Sequence, residues 1–324
     1  MNKSKMLFFM MMSYGTILTL SSNNWISMWA GMEINMMAFI PMMSNKSKLS
    51  SESMMIYLLV QSMSSMLLMF SIIMMNLIMK QVFINMVLIS LLIKLGAAPF
   101  HMWLPEILAK MSWKNSMVLL TWQKLAPMMI INNLMYNNKI MFVSIILSVT
   151  VGALGGLNQM SLRKIMGYSS INHLGWMMTL SKIKNSWMLY LIIYSIMVIT
   201  LCWMFQQYNM IHINQINNMN ISLTEKLTYL VAMMSLGGLP PFLGFLPKWM
   251  VIQTLNNDSM YMMMIIMVMC SLLSLFYYMR TMTTMMMQFT TMNKWIKIQP
   301  NMFMISSMLL INLSLPVALI MNLN

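Results

Sequence analysis

Four charged side chains lie inside apolar stretches of this sequence. A charge is costly in such a stretch, and proton transfer is one function that would require it. The four side chains are Glu33, Lys94, Lys124 and Lys248. A charge near the middle of a bilayer costs about 2.5–3.5 kcal/mol on insertion scales. Burial penalises the charged form of lysine and of glutamate, so such groups can exchange protons at physiological pH. A row of them joined by water would act as a proton relay.

The positions of these charges within their stretches support the relay interpretation. Glu33 lies at the centre of the stretch 24–43 and, at about 1.5 Å per helical residue, falls near the midplane of a bilayer. Lys124 also lies in mid-stretch, whereas Lys94 precedes and Lys248 follows a segment rich in Gly and Pro. Two alternatives stay open. A static ion pair would account for the first three, and a lysine that reaches the membrane surface would account for Lys248.

His173 is a further candidate, because it lies near mid-membrane in RKIMGYSSINHLGW, beside Ser169 and Ser170. It either takes part in the relay or is a hydrogen-bonded core residue. No second metal-ligating residue lies at a suitable spacing from His173 in the sequence.

Cys202 and Cys270 form no CxxC pair, and neither GxGxxG nor GxxxxGK[ST] occurs. We therefore expect no metal and no cofactor in this chain.

The composition predicts that these residues lie in an all-α, polytopic membrane protein. Of 324 residues, 60% are hydrophobic and only 7% are charged, against about 25% charged in a soluble domain. The apolar runs have the length of about 18–25 residues that a helix needs to cross a bilayer. We predict a single membrane domain, 1–324, of about 11 transmembrane helices at 6–22, 24–43, 54–79, 81–105, 115–136, 140–157, 161–180, 186–207, 226–256, 259–287 and 301–321.

Two of these spans carry Gly and Pro where a helix should continue. The fourth contains IKLGAAPFHMWLPE at 93–106, and the ninth contains SLGGLPPFLGFLPKW at 235–249. Breaks of this kind are tolerated in a membrane only where the freed backbone groups are buried in protein or line a wet cavity. The expected break residues are Gly96, Pro99, Gly237, Gly238, Pro240 and Pro241.

The two broken segments also resemble each other, since PFHMWLPE and PFLGFLPK each follow an LG pair. The second break lies five spans after the first, and an odd offset reverses the orientation in the bilayer. This predicts inverted five-helix repeats at about 6–136 and about 140–287, followed by a C-terminal helix at about 301–321. The alternative is a coincidence between two Pro-kinked helices.

The net charge of +14 would suggest nucleic acid if the protein were soluble, but here the lysines lie between apolar runs. Counted on alternate sides of the membrane, twelve Lys and Arg residues lie on the side of the N-terminus and four on the opposite side. The positive-inside rule places the N-terminus inside and, with an odd number of spans, the C-terminus outside. We expect no nucleic-acid partner.

Six stretches together resemble the antiporter-like, proton-translocating membrane subunits of mitochondrial NADH–ubiquinone oxidoreductase, respiratory complex I. They are GMEINMMAFIP, IKLGAAPFHMWLPE, TWQKLAP, GGLNQMSLRK, SSINHLGW and SLGGLPPFLGFLPKW, and the resemblance runs from about residue 15 to residue 280. It implies that the acid and the three lysines of the family relay fall on Glu33, Lys94, Lys124 and Lys248.

The resemblance also implies a function. Such a subunit translocates protons, is driven by redox chemistry elsewhere in the complex and holds no redox centre. Its partners would be the other membrane subunits, the lipid bilayer, protons and water. It would lie in the mitochondrial inner membrane, with its N-terminus on the matrix side and its C-terminus on the intermembrane-space side. Two alternatives stay open: a cation/proton antiporter subunit of the same fold, and a passive scaffold, which would need neither buried charges nor broken helices.

Overall fold

The computed structural model of the chain is built of helices. It describes residues 3–44, 47–75, 80–134, 139–181, 186–217, 222–286 and 302–316, and within these ranges no β-strand forms. This confirms the predicted all-α class. The helices are α1 (Lys3–Ser21), α2 (Trp25–Met43), α3 (Lys48–Met75), α4 (Lys80–Leu95), α5 (Trp103–Lys110), α6 (Trp113–Thr121), a 3-10 helix (Trp122–Lys124), α7 (Leu125–Asn133), α8 (Lys139–Gly156), α9 (Leu162–Leu180), α10 (Ser186–Gln207), α11 (Ile213–Asn217), α12 (Leu223–Gly237), α13 (Phe245–Asn257), α14 (Tyr261–Met286) and α15 (Met302–Asn312).

Four of the described helices, α3, α8, α10 and α14, are long and apolar enough to cross a membrane. Helix α3 shows how its residues suit that setting. Met63 and Met66 on its outer face are 65% and 72% exposed, whereas Ser53, Ser64 and Ser71 are buried. Each of these serines donates a hydrogen bond to the carbonyl three residues earlier. An apolar outside and a polar inside reverse the pattern of a soluble helix and match a hydrocarbon surrounding.

The chain divides into two compact units. The first comprises 1–148 with 181–184, and the second comprises 149–180 with 185–324. The first unit holds Glu33, Lys94 and Lys124, and the second holds His173 and Lys248. The single membrane domain and the two inverted repeats stay predictions.

In the first unit the chain leaves the helical conformation at Gly96. Helix α4 stops just before this glycine, whose φ of 69° lies in a region that L side chains rarely adopt. Two side chains donate hydrogen bonds to backbone carbonyls that have no continuing helix beyond the break. Trp103 Nε1 donates to the Ile93 carbonyl at 3.2 Å, and Gln61 Nε2 donates to the Lys94 carbonyl at 3.2 Å. The helix end beside Lys94 is thus stabilised without a continuing helix.

In the second unit α12 ends at Gly237, and Gly238 follows with a φ of 75°. The Gly238 N–H donates to the Ser235 carbonyl at 2.9 Å, and the Leu239 N–H donates to the Met234 carbonyl at 3.3 Å. A left-handed glycine closes many helices in this way. The chain becomes helical again only where α13 begins, so the membrane stretch 226–256 predicted from the sequence consists of two helices.

A third interruption lies where the sequence analysis predicted a plain helix, in the span 115–136. Helix α6 passes into the 3-10 helix before α7 continues. Pro127 supplies the physical reason, because it has no N–H for the carbonyl of Gln123 four residues earlier and its ring crowds that turn. The interruption falls on Lys124. The end of the predicted span, at 135–136, lies outside the described residues.

Candidate proton-relay site

Close packing of α1 against α2 positions Glu33. Gly15 and Gly31 face each other across this contact, and a Cβ added to either would lie 2.8 Å from the carbonyl oxygen of the other. Only glycine permits so close an approach of two helix backbones. This contact fixes the position of α2 along α1. Since Glu33 follows Gly31 on α2 by half a helical turn, it also fixes the position of Glu33.

Glu33 and Lys94 form a loose ion pair. Lys94 Nζ lies 3.9 Å from Glu33 Oε1, and the two side chains are 4% and 20% exposed, respectively. A direct N–H···O hydrogen bond would span about 2.7–3.2 Å. Within the described part of the chain, Glu33 Oε1 accepts no hydrogen bond. The spacing leaves the two charges attracted but not locked together, and it suits a bridging water.

A small cavity lies between Lys94, the lysine of this pair, and Lys124. It has a volume of about 30 Å³, and both Lys94 and Lys124 line it. Its other polar lining residues are Asn35, Tyr57, Gln61 and Gln123. Since one water needs roughly 10–15 Å³ of such volume and two or more polar partners, the cavity has room for about two waters. Lys124 itself is only 2% exposed. Two buried lysines therefore share one small cavity, partly lined by polar side chains, within the first unit.

Lys248 lies in the second unit, in the first turn of α13. Its Nζ donates to the Gly237 carbonyl at 2.7 Å, at the C-terminal end of α12, where the helix dipole favours a cation. The same Nζ lies 5.7 Å from the centroid of the Trp176 ring, within the range of a cation–π contact. Lys248 is 5% exposed. A lysine that reached the membrane surface would expose its ammonium group, so that alternative does not fit this geometry.

His173 occupies the core of the second unit, on α9. It is 5% exposed, and its Nδ1 shares a hydrogen bond of 2.8 Å with the hydroxyl of Tyr190 on α10. The ring of Tyr194 lies 4.9 Å from the imidazole, centroid to centroid. Trp176, which faces Lys248, follows His173 by one helical turn. The histidine and the Lys248 contact thus lie close together along α9.

The structure therefore brings three of the candidates together in the first unit and sets His173 and Lys248 on neighbouring parts of the second. The predicted break residues lie at the two helix ends or in the segments that follow them: Gly96, Pro99, Gly237, Gly238, Pro240 and Pro241. Among the described residues, no group of three or more His, Cys, Asp or Glu side chains could hold a metal ion.

The sequence analysis missed several polar residues of the site. Asn35 and Gln61 interrupt apolar runs, and this signal could have identified them. Gln123 adjoins Lys124, but a glutamine beside a lysine is common at the end of a span. Tyr57 and Tyr190 gave no signal, because tyrosine is frequent in apolar segments and its hydroxyl reveals its partner only in the folded chain.

Comparison with known proteins places this chain in a family. The family model described as NADH:quinone oxidoreductase/Mrp antiporter matches residues 22–274. NADH-ubiquinone oxidoreductase chain 2 of Anopheles gambiae is 44% identical over 265 residues, which cover 78% of this chain and 77% of the relative. The chain therefore belongs to the NADH:quinone oxidoreductase/Mrp antiporter family and, within it, to the NADH-ubiquinone oxidoreductase chain 2 group. The six stretches quoted from the sequence resemble chain 2 of this enzyme, and the comparison confirms that resemblance.

Solved structures of distant relatives agree with the fold. A chain of respiratory complex I from Thermus thermophilus with bound aureothin matches with a TM-score of 0.83 at 18% identity, over 94% of this chain and 75% of that chain. A chain of the Mrp complex from Dietzia sp. DQ12-45-1b matches with a TM-score of 0.74 at 15% identity, over 86% and 59%. At these identities the likeness concerns the fold alone.

Proposed function

We propose that this chain is a core membrane subunit of NADH–ubiquinone oxidoreductase that translocates protons through Glu33, Lys94, Lys124 and Lys248, with His173 as a further relay group. Redox chemistry elsewhere in the complex would drive the transfer. The observation that carries the proposal is the cavity of about 30 Å³, partly lined by polar side chains, that Lys94 and Lys124 share, with Glu33 at 3.9 Å from Lys94. Two buried lysines joined by water-sized space can pass a proton, which a passive scaffold would not require.

The loose ion pair supplies the switch in this relay. While the Glu33 carboxylate is charged and near, it favours the protonated form of Lys94. When Glu33 moves away or takes up a proton, Lys94 loses that support and releases its proton into the cavity. Waters there, held by Tyr57 and Gln61, carry it to Lys124. No covalent step and no bound group are needed.

Among the described residues, no acidic side chain forms an ion pair with Lys248 at its end of the relay. Its ammonium is held by the Gly237 carbonyl and the face of Trp176. Both contacts favour the protonated lysine, since a carbonyl and an aromatic face are each attracted to a cation. Loss of the proton weakens both contacts and frees the side chain to turn toward another group. His173, one turn from Trp176, is the group on α9 that can exchange a proton with it.

The finer architecture belongs to this proposal. We place about eleven transmembrane helices in two inverted repeats of five and a C-terminal helix. The chain would lie in the mitochondrial inner membrane among the other membrane subunits of the complex, with the N-terminus on the matrix side and the C-terminus on the intermembrane-space side. It would bind lipid, protons and water, and it would hold no redox centre.

A cation/proton antiporter subunit is the second candidate, because the family description includes Mrp antiporters. The identity of 44% to a chain named NADH-ubiquinone oxidoreductase chain 2 favours the first candidate. The two differ in their need for a metal cation. We expect proton translocation by the assembled complex to be unchanged when potassium replaces sodium, whereas an antiporter would depend on one of these cations.

Neutralising Glu33 tests the proposed function. Glu33→Gln keeps the shape of the side chain but removes the charge that acts on Lys94. We expect the assembled complex to lose about tenfold or more in proton-coupled turnover, as is typical when an acid–base group is removed. The measurement is NADH-driven acidification of the lumen of vesicles that contain the complex.

The control for this variant is Glu52→Gln, which neutralises an acid of the same type. Glu52 lies 2.9 Å from Lys110, and its side chain is 56% exposed. An exposed pair contributes only about 0–1 kcal/mol, so turnover should be close to normal. Equal turnover of the Glu33→Gln, Glu52→Gln and unmodified complexes would contradict the relay.

Replacing Tyr190 tests the part assigned to His173. Tyr190→Phe removes the hydroxyl bound to His173 Nδ1 and nothing else. A hydrogen bond of this kind contributes about 0.5–1.5 kcal/mol, so we expect proton-coupled turnover to fall by about two- to tenfold. Tyr261→Phe is the control, since Tyr261 is 54% exposed. Normal turnover of Tyr190→Phe would mean that the orientation of His173 does not matter to the relay.

A further inference from the structure

We propose that Gln123 is a positioning residue of the relay, which ties the turn that carries Lys124 to the helix that carries Glu33. The inference rests on the proposed function and adds to it a residue that the family resemblance does not assign. The amide group of Gln123 joins the 3-10 helix to α1, α2 and α3 of the first unit.

Gln123 makes these contacts at both ends of its amide. Its Nε2 donates to Asn35 Oδ1 at 3.1 Å and to Met12 Sδ at 3.3 Å, and its Oε1 accepts from the Tyr57 hydroxyl at 3.4 Å. Asn35 is 3% exposed and Tyr57 is 2% exposed. Asn35 follows Glu33 by two residues on α2, whereas Tyr57 lies on α3. The amide thus links the 3-10 turn to both of these helices.

The turn needs such a link because its backbone is weakly held. Pro127 cannot donate to the Gln123 carbonyl, and the 3-10 helix over Trp122–Lys124 has poorer hydrogen-bond geometry than an α-helix. Stretches of this type inside helices often act as hinges. Lys124 is the last residue of the turn, so any movement of the turn displaces its ammonium group. The side chain of Gln123 supplies the restraint that the backbone lacks.

The restraint acts at the cavity itself. Asn35, Tyr57 and Gln123 all line the cavity that Lys94 and Lys124 share. The side chains of Gln123, Asn35 and Tyr57 therefore form part of the cavity wall beside Lys124. Through Asn35, this part of the wall is connected to α2, the helix that carries Glu33. A displacement of about 1 Å in such a site can lower a rate about a hundredfold. Any change at Glu33 that shifts α2 would be transmitted through Asn35 and Gln123 to Lys124.

A purely structural glutamine would pack against its neighbours and matter only to stability. Two sets of variants in the assembled complex separate these roles. Gln123→Leu and Asn35→Leu remove the contact from either side, and Gln207→Leu changes an exposed glutamine as a control. The exchanged pair Gln123→Asn with Asn35→Gln moves one methylene across the contact and can restore the hydrogen bond.

We expect Gln123→Leu and Asn35→Leu each to lower NADH-driven proton translocation by about tenfold at normal levels of assembled complex. The double leucine variant should be no worse than Gln123→Leu alone, because Gln123→Leu already removes the contact with Asn35. Gln123→Asn alone should also lose activity, and the exchanged pair should recover most of it. If the leucine variants do not assemble, Gln123→Asn and its recovery by Asn35→Gln give the same test.

Normal proton translocation by Gln123→Leu or by Gln123→Asn, in a series where Lys124→Met abolishes it, would overturn the positioning role and leave the relay standing. The same holds if the exchanged pair recovers nothing over Gln123→Asn. Normal translocation by Lys124→Met would instead overturn the proposed function, and this inference with it.

Discussion

Lys94→Met should give an assembled complex whose proton-coupled turnover is lower by about tenfold or more. Methionine keeps nearly the volume of lysine and removes its proton site. The helix end beside it should survive, because the hydrogen bonds from Trp103 and Gln61 go to backbone carbonyls and not to the lysine side chain. An apolar group in place of a buried charge is often tolerated. The loss should therefore appear in turnover and not in the amount of complex, measured on the same membranes.

Lys94→Arg separates charge from proton exchange. The guanidinium group keeps the attraction to Glu33 but remains protonated at any relevant pH. If the lysine only formed a static ion pair, the arginine variant would work and the methionine variant would be the damaged one. The relay predicts that both are impaired. Lys114→Met, at an exposed lysine, should have little effect and is the matched control.

Gly238→Ala should impair the Lys248 end of the relay strongly. A Cβ at this position would lie 2.7 Å from Lys248 Cδ and 2.8 Å from its Nζ, and the φ of 75° costs an L residue about 1–2 kcal/mol. The flexible lysine must give way, so its ammonium leaves the Gly237 carbonyl. We expect a modest fall in assembled complex and a fall in proton-coupled turnover of about tenfold or more.

The neighbouring glycine provides the control. Gly237→Ala would place a Cβ 3.6 Å from Leu275, an ordinary contact, at the end of a regular helix. Alanine there should be neutral or stabilising by up to about 1 kcal/mol. Turnover should be normal in Gly237→Ala and low in Gly238→Ala. Two equally active variants would show that the position of the Lys248 ammonium is not critical.

Much of the helical arrangement could be predicted from the sequence, because apolar length and Gly–Pro signals are local. Helix α4 ends just before Gly96, and α12 ends at Gly237, for such local reasons. The third interruption was also encoded locally, since Pro127 must free the carbonyl of Gln123. A proline inside a helix can bend it or interrupt it, however, and packing decides between the two outcomes.

The candidate site was predictable only in its charged members. Glu33, Lys94 and Lys124 are conspicuous because a charge in an apolar run has a large energetic cost. The contacts of Gln123 with Asn35 and Tyr57 depend on residues up to 88 positions apart in sequence, and nothing local specifies them. Likewise, the hold of Gly237 and Trp176 on Lys248 follows from how α9, α12 and α13 pack within the second unit.

The central claim is that protons pass through this chain by way of its buried lysines, and the ratio of protons translocated to electrons transferred measures this most directly. Complexes with Lys94→Met and with Lys94→Arg would be reconstituted in sealed vesicles, and acidification and NADH oxidation would be recorded together. We predict a lower ratio in both variants, or electron transfer so slow that little acidification follows. Full electron transfer with an unchanged ratio in both variants would contradict the account.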